Sequence, residues 1–154
     1  MTEKFHLSEM YKRQLGLVYQ ERIADQRVLI TGHGPTLSYI TIMLGYLGVG
    51  SSQGGIYFPP DARVTEDDVF GQILFEDEDI GKPLAEVAQE RLEEKFSLIV
   101  PCSQDVDIDN IEFDTLIAIV SKDGEMPPMP YFGFPIIVQL SNCLLYTSDA
   151  ADEG

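Results

Sequence analysis

Strand-length and helix-length apolar segments alternate along the chain. Residues 27–31 are an apolar run, a Gly-x-Gly turn follows at Gly32 and Gly34, and residues 35–47 are apolar over the length of a helix. This order opens a nucleotide-binding βαβ unit, in which the first glycine permits the tight turn and the second admits a phosphate to the backbone. The pattern predicts a Rossmann-like unit here.

Further elements are expected downstream. Predicted strands cover residues 56–58, 98–100, 115–120 and 134–140, predicted helices cover residues 7–24 and 84–95, and a helix start or turn is expected at 65–68. The run at 115–120 is apolar throughout, as in parallel strands covered on both faces. Apolar residues fall nearly all round the helix at 35–47, so we expect it to be well buried. The alternation predicts an α/β fold, Rossmann-like, with an open, mostly parallel sheet flanked by helices.

The length and net charge of the chain limit the functions that are expected of it. The chain has 154 residues, so one domain is expected, and its formal net charge is −16. Such a charge opposes binding to nucleic acid or to an anionic membrane, because phosphates would be repelled. No apolar run reaches the length of a membrane span, and the first residues lack the apolar core of a signal peptide. We therefore expect a cytoplasmic protein.

The last residues differ in origin from the rest of the chain. Residues 143–154 resemble an in-frame translation of a sequencing-library adapter. We therefore expect the natural domain to cover residues 1–142 and to be truncated at its C-terminus. Without the three acids of this tail, 23 acids stand against 10 bases, and the net charge is still −13. The cysteines, Cys102 and Cys143, and the histidines, His6 and His33, show no metal-ligand spacing. We expect no bound metal and no disulfide framework.

Several short motifs follow one another in the order and spacing of one family. They are Tyr-Lys-Arg-Gln at 11–14, the strand and glycine turn at 27–34, Gly-Val-Gly at 48–50, Gln-Ile-Leu-Phe at 72–75, Asp-Ile-Gly-Lys-Pro-Leu-Ala-Glu-Val-Ala at 79–88 and Glu-Arg-Leu at 90–92. Residues 11–140 thereby resemble the ThiF/MoeB/HesA adenylyltransferases and the adenylation domains of ubiquitin-activating enzymes. The resemblance implies ATP and Mg²⁺ as cofactors, and a ubiquitin-like or sulfur-carrier protein whose C-terminal glycine is adenylated.

Most residues that serve ATP in that family are replaced here. Gly32 and Gly34 are kept as nucleotide-binding candidates, but Leu37 stands at the third glycine, where it is expected to crowd the helix against the strand. The family's ribose-binding Asp falls on Pro60, with Asp61 beside it, and its Lys falls on Leu84, with Lys82 two residues earlier. Asp61 and Lys82 are therefore substitute candidates.

At three further family positions the functional side chain is replaced. The family's Asn falls on Asp68, which would repel a triphosphate, its Arg falls on Gly71, and its metal-binding Asp falls on Ser121, with Asp123 nearby. Each lost charge–phosphate contact typically costs about 1.5–3 kcal/mol. The losses together predict a catalytically degenerate member.

One family position is kept outside the ATP-binding segments. Arg13 matches an arginine that in this family reaches across the dimer to the partner's ATP phosphates, and residues 64–68 resemble the inactive halves of heterodimeric activating enzymes. We hypothesise a pseudo-enzyme subunit that pairs with a homologous adenylation subunit and supplies Arg13 to it. Two alternatives stay open: an active ATP-dependent adenylyltransferase rebuilt from Asp61, Lys82 and Asp123, and a Rossmann-type module for a nicotinamide or flavin cofactor.

Other candidate residues favour simple structural roles. His33 lies inside the glycine turn and is expected to fill space that the ATP site has vacated. Asp105, Asp107 and Asp109 alternate in a loop without the glycine and final glutamate of a calcium loop, so a solvated acidic loop is expected. Cys102 matches neither the thioester cysteine nor the zinc cysteines of active members.

Overall fold

A computed structural model describes residues 20–104, residue 107, residues 113–120 and the strand at 136–139. Arg13, Ser121, Asp123 and the C-terminal tail lie outside these described residues, as do Asp105 and Asp109 of the acidic loop. Asp107 of that loop is exposed.

The described strands form one parallel sheet. They are β1 (Arg27–Thr31), β2 (Gly55–Tyr57), β3 (Cys102–Ser103), β4 (Thr115–Val120) and β5 (Ile136–Gln139), in the spatial order β3-β2-β1-β4-β5. All four neighbouring pairs are parallel. β2 and β3 lie on one side of β1, and β4 and β5 lie on the other. The strand order therefore reverses beside β1. The predicted Rossmann-like α/β fold is confirmed.

Helices connect these strands. They are α1 (Gln20–Ala24), α2 (Pro35–Leu47), α3 (Glu66–Val69) and α4 (Leu84–Phe96), with 3-10 turns at Phe70–Gln72 and Asp77–Asp79. The bounds of β1, α2 and β4 agree with the predictions, and the start predicted at 65–68 is confirmed, because Thr65 caps α3. Of the helix predicted at 7–24, only α1 falls among the described residues. None of the helices in the described ranges has the length and hydropathy needed to cross a bilayer.

The expectation that α2 is buried on all sides is wrong. Its inner face is built mainly from small or hydroxyl-bearing residues, whereas Tyr39, Met43 and Tyr46 are each more than half exposed. Small inner residues let the helix approach its neighbours closely; a methyl group on Gly45 would lie 3.0 Å from Leu98 Cδ1. The face that packs therefore combines these small residues with Leu37 and Ile42.

The strand predicted at residues 98–100 is also wrong. Ser97 ends α4 in the left-handed conformation, Leu98 N then donates to Leu92 O, and Ile99 is 81% exposed. Pairing with β2 begins only at Pro101, whose carbonyl accepts from Ile56 N. Residues 98–100 are apolar because Val100 and Leu98 pack against the core from a connecting segment.

The main core lies between the sheet and helices α2 and α4. Its fully buried side chains include Ile30, Leu37, Ile56, Phe58, Leu74, Leu84, Leu92 and Ile119. This core holds the carboxyl end of β1 and the start of α2 in a fixed relation, and the glycine turn lies between them.

Candidate functional site

The glycine turn between β1 and α2 is the site that the fold points to. In open parallel sheets, ligands bind beyond the carboxyl ends of the strands where the strand order reverses, and this turn leaves β1 at that place. Gly32 has φ +99°, and a methyl group on it would lie 2.2 Å from Ile119 O of β4. Only glycine fits there, because the backbone of β4 passes directly against the turn.

Leu37 stands at the third fingerprint position, and its expected crowding of the helix against the strand stays a prediction. Its side chain is fully buried in the main core, and its N–H donates to Gly34 O at 3.1 Å. A close backbone approach is made by Gly32 against β4. The position of the third fingerprint glycine has thus become a core position.

The carboxylate of Asp68 lies on the glycine turn. Gly34 N donates to Asp68 Oδ1 at 2.8 Å, while Asp68 Oδ2 lies 2.8 Å from His33 Nδ1. Oδ2 also accepts from Thr65 N at 2.8 Å and from Thr65 Oγ1 at 2.9 Å. Asp68 is completely buried, so this charged group relies entirely on these partners.

One carboxylate thereby serves two helix starts. Asp68 closes the capping box of α3 with Thr65, and it also accepts the Gly34 N–H that immediately precedes α2. The first turn of α2 contains no acidic residue, so Asp68 supplies negative charge to a helix to which it does not belong. The N-terminal end of α2, where a nucleotide phosphate would approach in a Rossmann fold, holds a carboxylate of the chain itself.

His33 is oriented by Asp68, and its expected role in filling the space of the ATP site stays a prediction. Its side chain is 38% exposed. The hydrogen bond to Asp68 raises the pKa of His33 above its ordinary value of 6.5; burial lowers it in part, and the charges of Asp68 and Asp67 raise it further. The Asp68 carboxylate therefore favours the protonated form of this imidazole more than solvent would.

A second charged cluster joins the loop before α4 to that helix. Arg91 Nε and Nη2 donate to the two carboxylate oxygens of Asp79 at 2.9 and 3.0 Å, and Nη2 also reaches Glu78 Oε1 at 2.8 Å. Burial by itself would raise the pKa of Asp79, but the bonds from Arg91 and from Glu76 N hold it below its ordinary value. Asp79 and Arg91 belong to two of the family-like motifs, and here their contact is structural.

Lys82 and Asp61 lie outside the contacts of the glycine turn. Lys82 is exposed, and its Nζ lies 3.7 Å from Asp79 Oδ1; Asp61 is exposed in the turn that follows β2. Among the described residues, no hydrogen bond or ion pair joins either side chain to Gly32 or Gly34. Their nucleotide-binding roles, and that of Arg13, stay predictions.

Cys102 is poorly suited to nucleophilic chemistry. Burial raises the pKa of its thiol to about 12, and Sγ contacts Val100 O at 3.5 Å. It lines a shallow groove between α4 and β3, together with Glu86, Glu90 and Glu93. Within the ranges described here, no three His, Cys, Asp or Glu side chains are grouped so that they would hold a metal ion.

The sequence did not predict that Asp68 contacts the glycine turn. Residues 65–68 indicated only a helix start or turn. That local signal carries no information about Gly34, which lies 34 residues earlier and is joined to Asp68 only by the tertiary fold.

Solved structures share this fold at low sequence identity. E. coli MccB is 21% identical over 67% of this chain and 30% of its own length, with a TM-score of 0.50. PaaA is 19% identical over 74% of this chain and 41% of its own, with a TM-score of 0.54. MccB with ATP is 22% identical over 68% and 31% of the two chains, with a TM-score of 0.47. This chain therefore spans less than half the length of these proteins.

Comparison with families and curated proteins adds no relative. No protein-family profile matches the chain, and no curated protein matches it significantly. The likeness to MccB and PaaA shows the fold alone, a Rossmann-like fold of the kind found in these proteins.

Proposed function

We propose that this chain is an adenylation-type domain, related to the ThiF/MoeB family, that does not bind ATP on its own and acts as the pseudo-enzyme subunit of a pair. The observation that carries the proposal is the Asp68 carboxylate on the N–H of Gly34. The N–H group that a phosphate would use already has an anionic partner within the same chain.

The charges around the turn also disfavour ATP. Asp67 and Asp68 both place negative charge near His33, and a triphosphate brought to the same turn would be repelled by both. Lys82 pairs with Asp79 instead of with this turn. The described residues therefore do not fit the phosphates of ATP, and no chemical step through ATP or Mg²⁺ is assigned to this chain.

The proposed contribution of the chain is Arg13, supplied in trans. In the family that residues 11–14 resemble, this arginine reaches the partner's ATP phosphates, as an arginine finger does. The proposed partners are a homologous adenylation subunit and, through it, a ubiquitin-like or sulfur-carrier protein. MccB, which shares the fold, has been crystallised with ATP and with MccA. A cytoplasmic location stays a prediction of the sequence.

Calorimetry with ATP and Mg²⁺ tests the first half of the proposal. We expect no heat of binding from the chain at millimolar ATP, because the Asp68 carboxylate holds the Gly34 N–H and Lys82 pairs with Asp79. Binding at micromolar ATP would overturn the pseudo-enzyme role and favour an adenylyltransferase rebuilt around Asp61 and Lys82.

Pyrophosphate exchange by a reconstituted pair tests the second half. Arg13→Ala is expected to lower exchange by about 10³-fold or more, the usual effect of removing an arginine finger. Lys12→Ala is the matched control, because it removes the neighbouring positive charge, and it should leave exchange nearly unchanged. Unchanged exchange in Arg13→Ala would remove the trans role.

A further inference from the structure

We propose that the glycine turn is an intact anion site which the chain closes with its own Asp68 carboxylate, and that a phosphate-type anion binds there once this carboxylate is removed. The proposal concerns the same turn as the proposed function and rests on it only for the choice of phosphate as the anion. In a degenerate turn the anion-binding geometry would be lost. In this turn the donor groups are present, and the Asp68 carboxylate occupies them.

The contacts of Asp68 are those of a bound anion. Four donor groups surround the carboxylate: Gly34 N and His33 Nδ1 from the turn, and Thr65 N and Thr65 Oγ1 from the start of α3. Backbone N–H groups at helix starts and a protonated imidazole are the donors that proteins offer to phosphate. Gly34 N belongs to the backbone and is kept when Asp68 is substituted, and His33 Nδ1 is then free to donate to an anion that replaces the carboxylate.

The turn also has unused space. Gly34 is buried, yet a methyl group built on it would meet no described residue within 4 Å apart from its chain neighbours. Among the described residues, a side chain at position 34 is thus disfavoured by the φ of +132° and not by contact with another residue. An oxygen of a larger anion has room beside the Gly34 amide.

Two buried hydroxyls flank the turn without a partner. Thr31 is the last residue of β1 and Thr36 lies in the first turn of α2, and they are 1% and 7% exposed. Among the described residues, neither Oγ1 atom has a hydrogen-bond partner. Unsatisfied buried hydroxyls are costly and uncommon, and these two belong to the residues just before and just after the turn in the sequence.

The experiment removes the carboxylate and measures binding of inorganic pyrophosphate by calorimetry at constant ionic strength. Asp68→Ser clears the space, and Asp68→Asn keeps the shape and can still accept from Thr65 N. Asp67→Asn is the matched control, because Asp67 is exposed on the same helix and carries the same charge. Circular dichroism reports whether each variant is folded.

We expect Asp68→Ser to bind pyrophosphate at least about tenfold more tightly than the native chain or Asp67→Asn, because only this change frees the donors of the turn. Adding His33→Ala should remove most of the gain, since the imidazole supplies one of those donors. Gain in the single variant and loss in the double variant would place the anion at this turn.

Three results would overturn the proposal. They are a folded Asp68 variant that binds no more tightly than Asp67→Asn, a gain that survives His33→Ala, and failure of both Asp68 variants to fold, because the turn would then have no structure without its own carboxylate. The proposed function is judged separately. It fails if the native chain binds ATP, and it stands if neither the native chain nor any variant binds an anion.

Discussion

Gly32 and Gly34 share one turn but are glycines for different physical reasons. Gly32 must lack a side chain because the backbone of β4 lies where a methyl group would be, 2.2 Å away at Ile119 O. A methyl group on the buried Gly34 would meet no described residue beyond its chain neighbours, and its backbone conformation, φ +132° and ψ 176°, is what disfavours other residues. The same Gly-x-Gly pattern therefore contains one steric and one conformational requirement.

This difference predicts unequal costs for two matched substitutions. Gly34→Ala should destabilise the fold by about 1–3 kcal/mol, the usual cost of a sparsely populated backbone conformation. Gly32→Ala should cost more than Gly34→Ala, because backbone strain is joined by a collision with β4. Urea unfolding of the two variants measures both values, and equal costs would contradict the close packing of β4 on the turn.

His33 makes the stability of the turn depend on pH. Its pKa in the folded chain is raised above 6.5, so the protonated ring stabilises the fold fully below pH 6.5 and the contribution disappears as pH rises through the raised value. The ring is 38% exposed, and the contribution should stay below about 1 kcal/mol because solvent screens the pair.

The matched variants for this effect are His33→Ala and His6→Ala, the latter at the only other histidine. Urea midpoints between pH 5.5 and 8.5 should fall more steeply for the native chain and His6→Ala than for His33→Ala. Parallel curves for all three proteins would mean that the His33–Asp68 contact does not couple to folding.

At the scale of elements, the Asp79–Arg91 pair explains why two separate motifs occur together. Asp79 caps its own 3-10 turn by accepting from Glu76 N, and Arg91 reaches it from the middle of α4 through two parallel bonds. Gly81 N donates to Val64 O, so the clamped loop is also tied to the segment that precedes Thr65 and α3. The pair therefore supports the position of Asp68 from a distance.

Breaking this clamp should be costly. Arg91→Ala leaves the nearly buried Asp79 with only Glu76 N and the exposed Lys82 as partners, and we expect a loss of about 2 kcal/mol or more, because the two strongest bonds to a buried carboxylate are removed. Arg91→Lys keeps the charge but not the two parallel bonds, and should fall in between.

The matched control is Arg63→Ala, at an exposed arginine that donates to Gly81 O at 3.0 Å and should cost less than about 1 kcal/mol. Thermal or urea unfolding provides the comparison. If Arg91→Ala costs no more than Arg63→Ala, the clamp is not a stabilising element.

At the scale of the whole molecule, the strand order places the glycine turn where an open α/β sheet binds its ligands. The chain nevertheless directs negative charge to that place, in keeping with its formal net charge of −16. Fold and charge at the turn thus oppose each other: the fold is shared with MccB and PaaA, whereas the Asp68 carboxylate already accepts the Gly34 N–H. That opposition is the basis of the pseudo-enzyme proposal.

Local signals alone determined most of the elements. The apolar run of β1, the glycines of the turn, the proline that starts α2 and the capping spacing of Thr65 and Asp68 act over a few residues, so they can be read from the sequence. The prediction of a strand at residues 98–100 relied on the same kind of local signal. It was wrong because an apolar connecting segment and a short strand have the same pattern.

Only the tertiary structure decided which face of α2 packs and where the Asp68 carboxylate lies. Apolar residues surround α2, so periodicity could not choose a face, and close approach selected small residues such as Ser38 and Gly45 over Tyr39 and Met43. Asp68 meets Gly34 because β1, α2 and α3 are packed together by the core. A contact between residues far apart in the chain depends on that packing, and no local pattern encodes it.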